Sequence, residues 1–332
     1  TPAEIAKSIG AGLYKSVCCA KVDGDLCDLR TPLEKDCKVE LLTFDNVDGQ
    51  KTFWHTASHV LAQAVKRLYP NAKCAIGPAV DNGFYYDFDV EKPFSPEDLE
   101  KIKAEMKKIV KSGLELERVE LSPEEAEKKL EEMNEPYKVE LVKEHSDKGE
   151  HITFYKQGEF IDLCAGPHLM SVAPIKAIEL TACTGAYWRG DANNAQLCRV
   201  YGVAFPKASM LEEHLKKLEE AKLRDHNKLG RELEYFTTVD YVGQGLPILL
   251  PKGARVVQLL QRWVEDVEQS KGCLLTKTPL LAKRDLYKIS GHWDHYLDGM
   301  FVLGDPHDEE KECFALRPMT CPFQYYVYKA QQ

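Results

Sequence analysis

Two short motifs place nitrogen and sulfur side chains four residues apart. His55 and His59 enclose Thr-Ala-Ser, and Cys164 and His168 enclose Ala-Gly-Pro. Positions i and i+4 of a helix lie on one face, so the first two imidazoles should point into one site. The Gly-Pro bend allows the second pair to converge on one point as well. The first motif is not the metalloprotease signature, because Thr56 stands where that signature needs a glutamate base.

These four side chains favour two kinds of chemistry. Imidazole nitrogens and a thiol sulfur are ligands that zinc prefers, and two close pairs would supply four of them. The same groups can order a water molecule and transfer protons during a hydrolysis. Each pair alone is equally compatible with polar surface or with a buried, hydrogen-bonded histidine. The presence of two such pairs in one region favours a functional site.

The elements that would position this site mix helices with strands. The first motif lies on a predicted helix over about residues 53–69, which Pro70 ends. Two more helices are predicted after Ser95 and Ser122, because each serine cap is followed by a proline and an acidic third residue. Strands are predicted at 151–156, 175–181 and 197–203. This interspersed order predicts an α+β fold.

Smaller segments flank this region. Before it we predict a small helix that starts at Pro2 and ends near Gly10 or Gly12, two strands (18–22 and 39–44) with an Asp23-Gly24 turn between them, and a linker at 46–49. After it we predict a charged connector helix at 209–229, an amphipathic helix at 255–268 and a strand at 274–277. The chain is therefore divided into residues 1–46, 47–208, 209–230 and 231–332.

The composition excludes several classes of protein. Of 332 residues, 44% are hydrophobic and 29% are charged, which is typical of a globular protein and excludes wholesale disorder. No run approaches the roughly 18 apolar residues of a membrane helix. The net charge of −9 argues against a general positive coat, although a local basic stripe can still bind phosphates. The 11 cysteines show no repeating framework, which favours reduced thiols in a cytosol.

The two motifs, in this order and spacing, resemble the editing domain of bacterial-type threonyl-tRNA synthetases, to which the alanyl-tRNA synthetase editing domain is related. Further stretches that resemble this family lie at 76–78, 83–88, 185–191 and 225–231. The opening segment, with Asp28-Leu29-Arg30, resembles the end of the ubiquitin-like TGS domain, incomplete at its start. The third domain resembles the start of a class II synthetase core, through Gly-His-Trp-Asp at 291–294 and Arg-Pro-Met-Thr-Cys-Pro at 317–322.

The resemblance implies roles for individual residues. The four side chains of the two motifs would bind the terminal adenosine of tRNA and place the attacking water. Lys138 falls where the family has a lysine implicated in hydrolysis, Asp162 would bind the amino group of the seryl moiety, and Tyr86 would line the pocket. Cys321 matches the first of three zinc ligands of the synthetic site, whose partner ligands would lie beyond residue 332.

The resemblance also implies the activity. The whole protein would be a cytoplasmic, homodimeric threonine–tRNA ligase that uses ATP, Mg²⁺ and a synthetic-site zinc, with tRNA(Thr), threonine and serine as its partners and no membrane association. Because a missing methyl group is worth only roughly 1–3 kcal/mol, the synthetic site cannot strongly reject serine, and a second site must hydrolyse seryl-tRNA(Thr). We expect that editing site to be metal-free, and the synthetic site to be incomplete within these 332 residues.

Two other functions remain open. A free-standing deacylase that edits in trans would have the same site, but no reason to keep the class II segments. A non-catalytic RNA-binding regulator built from these folds would have no need of both motifs, and it would bind RNA without turnover.

Overall fold

The computed structural model describes residues 1–331, and its elements form two compact units. One unit covers residues 1–222 and the other begins at residue 223. Both combine helices with antiparallel sheets, which confirms the predicted α+β class. The finer division at residues 46, 208 and 230 stays a prediction. No helix within residues 1–331 is both long enough and apolar enough to cross a membrane.

The first 43 residues form two helices and a three-stranded sheet of order β2-β1-β3. The elements are α1 Pro2–Ile9, α2 Ala11–Ser16, β1 Val17–Val22, β2 Asp25–Cys27 and β3 Val39–Thr43. The predicted first helix is confirmed, with Thr1 and Glu4 forming a capping box. The Asp23-Gly24 turn connects β1 to β2, a strand that was not predicted. The two predicted strands correspond to β1 and β3. Three residues are too few for a strand pattern to be recognised.

The next elements surround the two motifs. They are α3 Val47–Leu68, β4 Lys73–Cys74, β5 Ala79–Val80, β6 Gly83–Asp89, α4 Pro96–Ser112, β7 Leu116–Glu120, α5 Pro123–Glu132, α6 Pro136–Asp147, β8 Thr153–Gln157, β9 Phe160–Leu163, β10 Ala177–Tyr187, β11 Gln196–Phe205 and α7 Ala208–Leu223. One antiparallel sheet has the order β10-β11-β6-β4, with β5 also paired to β6, and a second has the order β7-β8-β9. The first sheet and helices α3 and α4 enclose the largest apolar core.

Several predicted elements are confirmed, and others were missed. Helices α4 and α5 begin at the predicted serine caps, each with a complete capping box. The three predicted strands correspond to β8, β10 and β11. Helix α6 was not predicted, because its N-cap residue Glu135 makes no side-chain capping bond and its apolar pattern is weak.

The predicted linker at 46–49 is wrong, because α3 begins at Val47 and includes three of these four residues. Glycine normally disfavours a helix interior, which is why the segment resembles a linker. Gly49 is needed for another reason: a Cβ atom there would overlap the carbonyl oxygen of Thr43 at the end of β3. The missing side chain lets the helix lie directly against the preceding strand.

The second unit contains one long helix, α9 (Pro251–Ser270), and otherwise short elements. They are α8 His226–Glu232, β12 Phe236–Thr237, β13 Ile248–Leu249, α9 Pro251–Ser270, β14 Leu281–Lys283, α10 Arg284–Ile289, α11 His292–Tyr296, β15 Val302–Leu303, β16 Phe314–Leu316 and α12 Cys321–Ala330. The connector predicted as one helix consists of two, α7 and α8. The second begins at His226, because the Asp225 carboxylate accepts a hydrogen bond from the Lys228 amide and caps a new helix. The predicted strand at 274–277 is wrong: within residues 1–331 no strand pairs with it, and a strand needs such a partner for its backbone groups.

Replacing Gly49 with alanine should destabilise the first unit by about 1–3 kcal/mol, because the added methyl group overlaps backbone atoms that cannot move independently. Gly12→Ala is the matched control, since Gly12 also lies in a helix but has open space around its Cα. Urea unfolding followed by circular dichroism measures both. Equal free energies of unfolding for the two variants would contradict the close approach of α3 to β3.

Candidate active site

Helix α3 and the loop after β9 bring the two motifs together. His55 and His59 lie one turn apart on α3, and Cys164 and His168 lie on the loop. The Cys164 Sγ atom is 3.2 Å from His55 Nε2 and 3.2 Å from His168 Nε2. One ligand atom from each of the four residues falls within 4.8 Å of the others. The convergence predicted from spacing is thus present in the structure.

The tautomer of His168 follows from the hydrogen bonds of Thr56. The Thr56 hydroxyl donates its one proton to the Thr52 carbonyl (3.0 Å) and accepts from the Leu169 amide (3.0 Å). It lies 3.1 Å from His168 Nδ1, and with its proton already used it must accept there too. His168 therefore carries its proton on Nδ1. Its Nε2 lone pair faces Cys164.

Burial fixes the protonation of the four side chains. It lowers the pKa of His55 to about 4 and that of His59 to about 3, although the Asp162 carboxylate opposes both shifts. Burial also lowers the pKa of His168 and raises the pKa of the Cys164 thiol to about 12. At neutral pH the cluster consists of three neutral imidazoles and a thiol. A thiol in this state is a hydrogen-bond donor and not a nucleophile.

A buried ion pair lies beside this cluster. Lys138 Nζ is 2.7 Å from Asp162 Oδ1, and both side chains are about 5% exposed. Tyr86 donates to Asp162 Oδ2 at 2.5 Å, and the same oxygen is 3.7 Å from His59 Nε2. Burial disfavours both charges, but their attraction prevails, so the pKa of Lys138 is raised and that of Asp162 is lowered. The pair remains an ammonium and a carboxylate.

The start of α6 holds Lys138 in this position. Lys138 lies in the first turn of the helix, three residues after the buried N-cap residue Glu135. The Glu135 carboxylate accepts from Lys66 Nζ at 2.7 Å and from the Cys74 amide at 2.6 Å. These bonds attach the helix start to α3 and to β4. The lysine is therefore placed by buried structure and is not a solvated surface residue.

A cleft of about 360 Å³ opens over these groups. Its walls include His55, His59, Lys138, Asp162 and Cys164. Further walls come from residues 76–78, from 141, 145 and 150–153, and from 163–166. A cleft of this size accommodates a small organic group with a few fixed polar contacts.

Three predicted residues lie elsewhere than in the cleft wall: His168, which is fully buried, Tyr86 and Cys321. Tyr86 is fully buried and contacts Asp162, so its side chain supports the ion pair from below. Cys321 belongs to the second unit, where it is exposed at the first position of α12. Within residues 1–331 it is not part of any cluster of potential metal ligands.

The four donors fit a zinc ion in type and spacing. With Zn–S and Zn–N bonds of ordinary length, tetrahedral ligands lie roughly 3.5 Å apart, close to the two 3.2 Å separations at Cys164. The imidazoles are already neutral, and the Thr56 contact orients His168 as outer partners do in zinc sites. Binding would require the thiol to lose its proton, which its raised pKa opposes.

Four residues around the site were not identified from the sequence. Thr56 stands inside the first motif, and its position between two histidines was the available signal. Asp28 and Arg30 belong to the TGS-like segment and contact the Cys164–His168 loop. Tyr155, on β8, lies against the His168 ring at 4.4 Å, and no local pattern points to it.

Two family profiles match parts of the first unit. The profile of the TGS domain matches residues 1–43. The profile described as the threonyl and alanyl tRNA synthetase second additional domain matches residues 152–201. The latter range contains Asp162, Cys164 and His168.

Curated proteins named threonine–tRNA ligase match nearly the whole chain. A protein of Clostridium perfringens is 61% identical over 99% of this chain, and one of Acetivibrio thermocellus is 51% identical over 98%. In both cases the match covers 50% of the relative, so the chain spans about half the length of these proteins. A solved RNA-binding domain of threonyl-tRNA synthetase from Cryptosporidium parvum is 31% identical over 32% of this chain and 26% of its own, with a TM-score of 0.30.

Replacing Thr56 with valine should destabilise the first unit by about 1–3 kcal/mol more than Thr52→Val does. Both hydroxyls donate to the carbonyl four residues earlier, but of the two only Thr56 also accepts from the loop. Valine at position 56 would leave the buried Nδ1–H of His168 and the buried amide of Leu169 without partners. Urea unfolding compares the two variants. Equal destabilisation would contradict the bonds of Thr56 to His168 and to the Leu169 amide.

Proposed function

The chain belongs to the threonyl-tRNA synthetase family, and from this premise we propose that the protein is a threonine–tRNA ligase whose first unit hydrolyses mischarged seryl-tRNA(Thr). One observation supports the hydrolysis most directly: a cleft whose wall contains neutral imidazoles, a thiol and a buried Lys138–Asp162 ion pair. The match to the second additional domain supports the same assignment. Ester hydrolysis needs a positioned water, a stabilised oxyanion and a substrate contact, and these groups can supply each.

The water and the adenosine are assigned to the two motifs. The neutral imidazoles of His55 and His59 face the cleft and can accept a proton from water or bind a ribose hydroxyl. His168 is fully buried and fixes the orientation of Cys164. Because the thiol keeps its proton, we propose direct attack by water and not a thioester intermediate.

The ion pair is assigned to the seryl ester. Its raised pKa makes Lys138 a cation at neutral pH, suited to stabilise the developing oxyanion and not to act as a base. The Asp162 carboxylate is suited to bind the α-ammonium group of the amino acid. The hydrogen bond from Tyr86 holds that carboxylate in place. A binding site that fits serine excludes the extra methyl group of threonine, as a second sieve requires.

We extend the proposal to the whole protein. It uses ATP and Mg²⁺ to attach threonine to tRNA(Thr), contains a synthetic-site zinc for which Cys321 supplies one ligand, and acts as a cytoplasmic homodimer. The ligases named above match residues beyond 222 as well as the editing region, which argues against a free-standing deacylase or a non-catalytic regulator.

The hydrolysis is tested by single-turnover deacylation of seryl-tRNA(Thr) and threonyl-tRNA(Thr). The parent protein should release serine selectively, and His55→Ala combined with Cys164→Ala should slow release on the order of 10²-fold or more. His226→Ala is the matched control, since this imidazole is exposed on α8 outside the site. Full-rate deacylation by the double variant would refute the assigned site.

The expectation of a metal-free editing site has its own test. Exhaustive treatment with 1,10-phenanthroline should abolish threonylation, which depends on the synthetic zinc, and leave deacylation of seryl-tRNA(Thr) unchanged. If a zinc ion were bound there, its ligands would come from His55, His59, Cys164 and His168, and it could activate the attacking water only through a coordination position that these residues leave open. Loss of deacylation that added zinc restores would therefore assign the metal to the editing site.

A further inference from the structure

The loop that contains Cys164 and His168 is held by a side chain from the TGS-like N-terminal module, which comprises residues 1–43. Arg30 Nη2 donates to the Leu169 carbonyl at 2.8 Å, and Nη1 lies 3.5 Å from the His168 carbonyl. Arg30 Nε donates to the Leu116 carbonyl at 3.1 Å, at the start of β7. One guanidinium thus connects the end of the loop to a neighbouring strand. The planar guanidinium group has several N–H donors in fixed directions, so it can bind these carbonyl groups at the same time. The single ammonium group of a lysine cannot reach all of them.

Asp28 completes the attachment from the same module. Its carboxylate is 6% exposed and accepts from Arg30 Nη1 at 2.8 and 3.0 Å. It also accepts from the His168 amide at 3.2 Å and from the Tyr155 hydroxyl at 2.9 Å. Tyr155 in turn lies against the His168 ring and against Gly166, where any Cβ atom would overlap its hydroxyl.

The loop is therefore fixed on two sides of His168. Thr56 holds its ring and the next amide from helix α3, while Asp28 and Arg30 hold its amide and the following carbonyls from the N-terminal module. The Sγ–Nε2 contact of 3.2 Å between Cys164 and His168 depends on both sides. A shift of about 1 Å in such groups is enough to slow a reaction by a factor on the order of 10².

Neither Asp28 nor Arg30 lines the cleft, so neither is placed to touch the substrate. They are also not the sole connection between the module and the rest of the unit. Met170 packs against the apolar core of the module, and Lys21 on β1 pairs with Asp48 on α3 at 2.6 Å. The hydrogen bonds of Asp28 and Arg30 differ from these contacts because their partners are backbone groups of the loop, at His168 and Leu169.

We propose that Asp28 and Arg30 of the TGS-like module are positioning residues of the hydrolytic site, which act by fixing the loop between Cys164 and His168. This inference rests on the proposed editing function. It gives the N-terminal module a direct part in the geometry of the hydrolytic centre, in addition to its own fold.

The test compares Arg30→Ala with Lys21→Ala in the protein at its natural length. Arg30→Ala should lower kcat for deacylation of seryl-tRNA(Thr) at least tenfold and leave KM within twofold, because the substrate surface is unchanged. Hydrogen exchange read by mass spectrometry should show the His168 and Leu169 amides exchanging at least tenfold faster. Lys21→Ala breaks an ion pair between the same two modules away from the loop, and both measurements should stay at the parent values.

Two further variants separate positioning from general stability. Arg30→Lys keeps a positive charge beside Asp28 but lacks the planar guanidinium group. Its melting temperature should therefore return to the parent value, whereas its kcat should stay low. Tyr155→Phe removes one donor to Asp28 and should change both measurements in the same direction as Arg30→Ala, by a smaller factor. This variant decides the question if Arg30→Ala does not fold.

Unchanged kcat and unchanged amide exchange in Arg30→Ala, or in Tyr155→Phe where the former is unfolded, would overturn the proposal. Recovery of parental kcat by Arg30→Lys would overturn it too, because charge alone would then suffice. A parent protein without deacylase activity would contradict the proposed function. In that case amide exchange alone would decide whether Arg30 fixes the loop.

Discussion

The buried pair of Lys138 and Asp162 is the constraint on which the site depends. Removing both charges from water is costly, so the pair persists only where additional bonds hold it. Tyr86 and His59 surround the carboxylate, and Glu135 fixes the helix from which Lys138 extends. Such a pair contributes little to stability in comparison with apolar packing. Its arrangement is best understood as preorganisation: the charges are already oriented toward the cleft before any substrate enters.

The same burial determines the state of the neighbouring motifs. A buried imidazole loses its proton more readily and a buried thiol keeps its proton, so the cluster is neutral next to the ion pair. Neutral donors of this kind suit a water network and also suit zinc, which is why the residue types alone do not decide between the two. The Thr56 contact orients His168 in the same way in either case.

Local sequence signals predicted those parts of the fold that depend on local interactions. The serine caps at Ser95 and Ser122 were sufficient because capping bonds join residues three positions apart. Elements stabilised by distant contacts were missed or misplaced. Gly49 resembles a linker residue until the carbonyl of Thr43 is seen beside it. The segment at 274–277 has a strand pattern, but whether a strand forms depends on a partner that local sequence cannot specify.

For the candidate site, the sequence by itself determined the residue types, their pairing at four-residue spacing and the family that they resemble. Spacing related His55 to His59 and Cys164 to His168, because both motifs are short, and the resemblance supplied Lys138, Asp162 and Tyr86 as predictions. Tertiary structure alone decided what lies between elements far apart in the chain: Tyr86 beneath the ion pair instead of in the cleft, Thr56 on His168, and Asp28 with Arg30 on the loop. The physical reason is that a hydrogen bond constrains positions in space, whereas spacing along a chain constrains them only within one element.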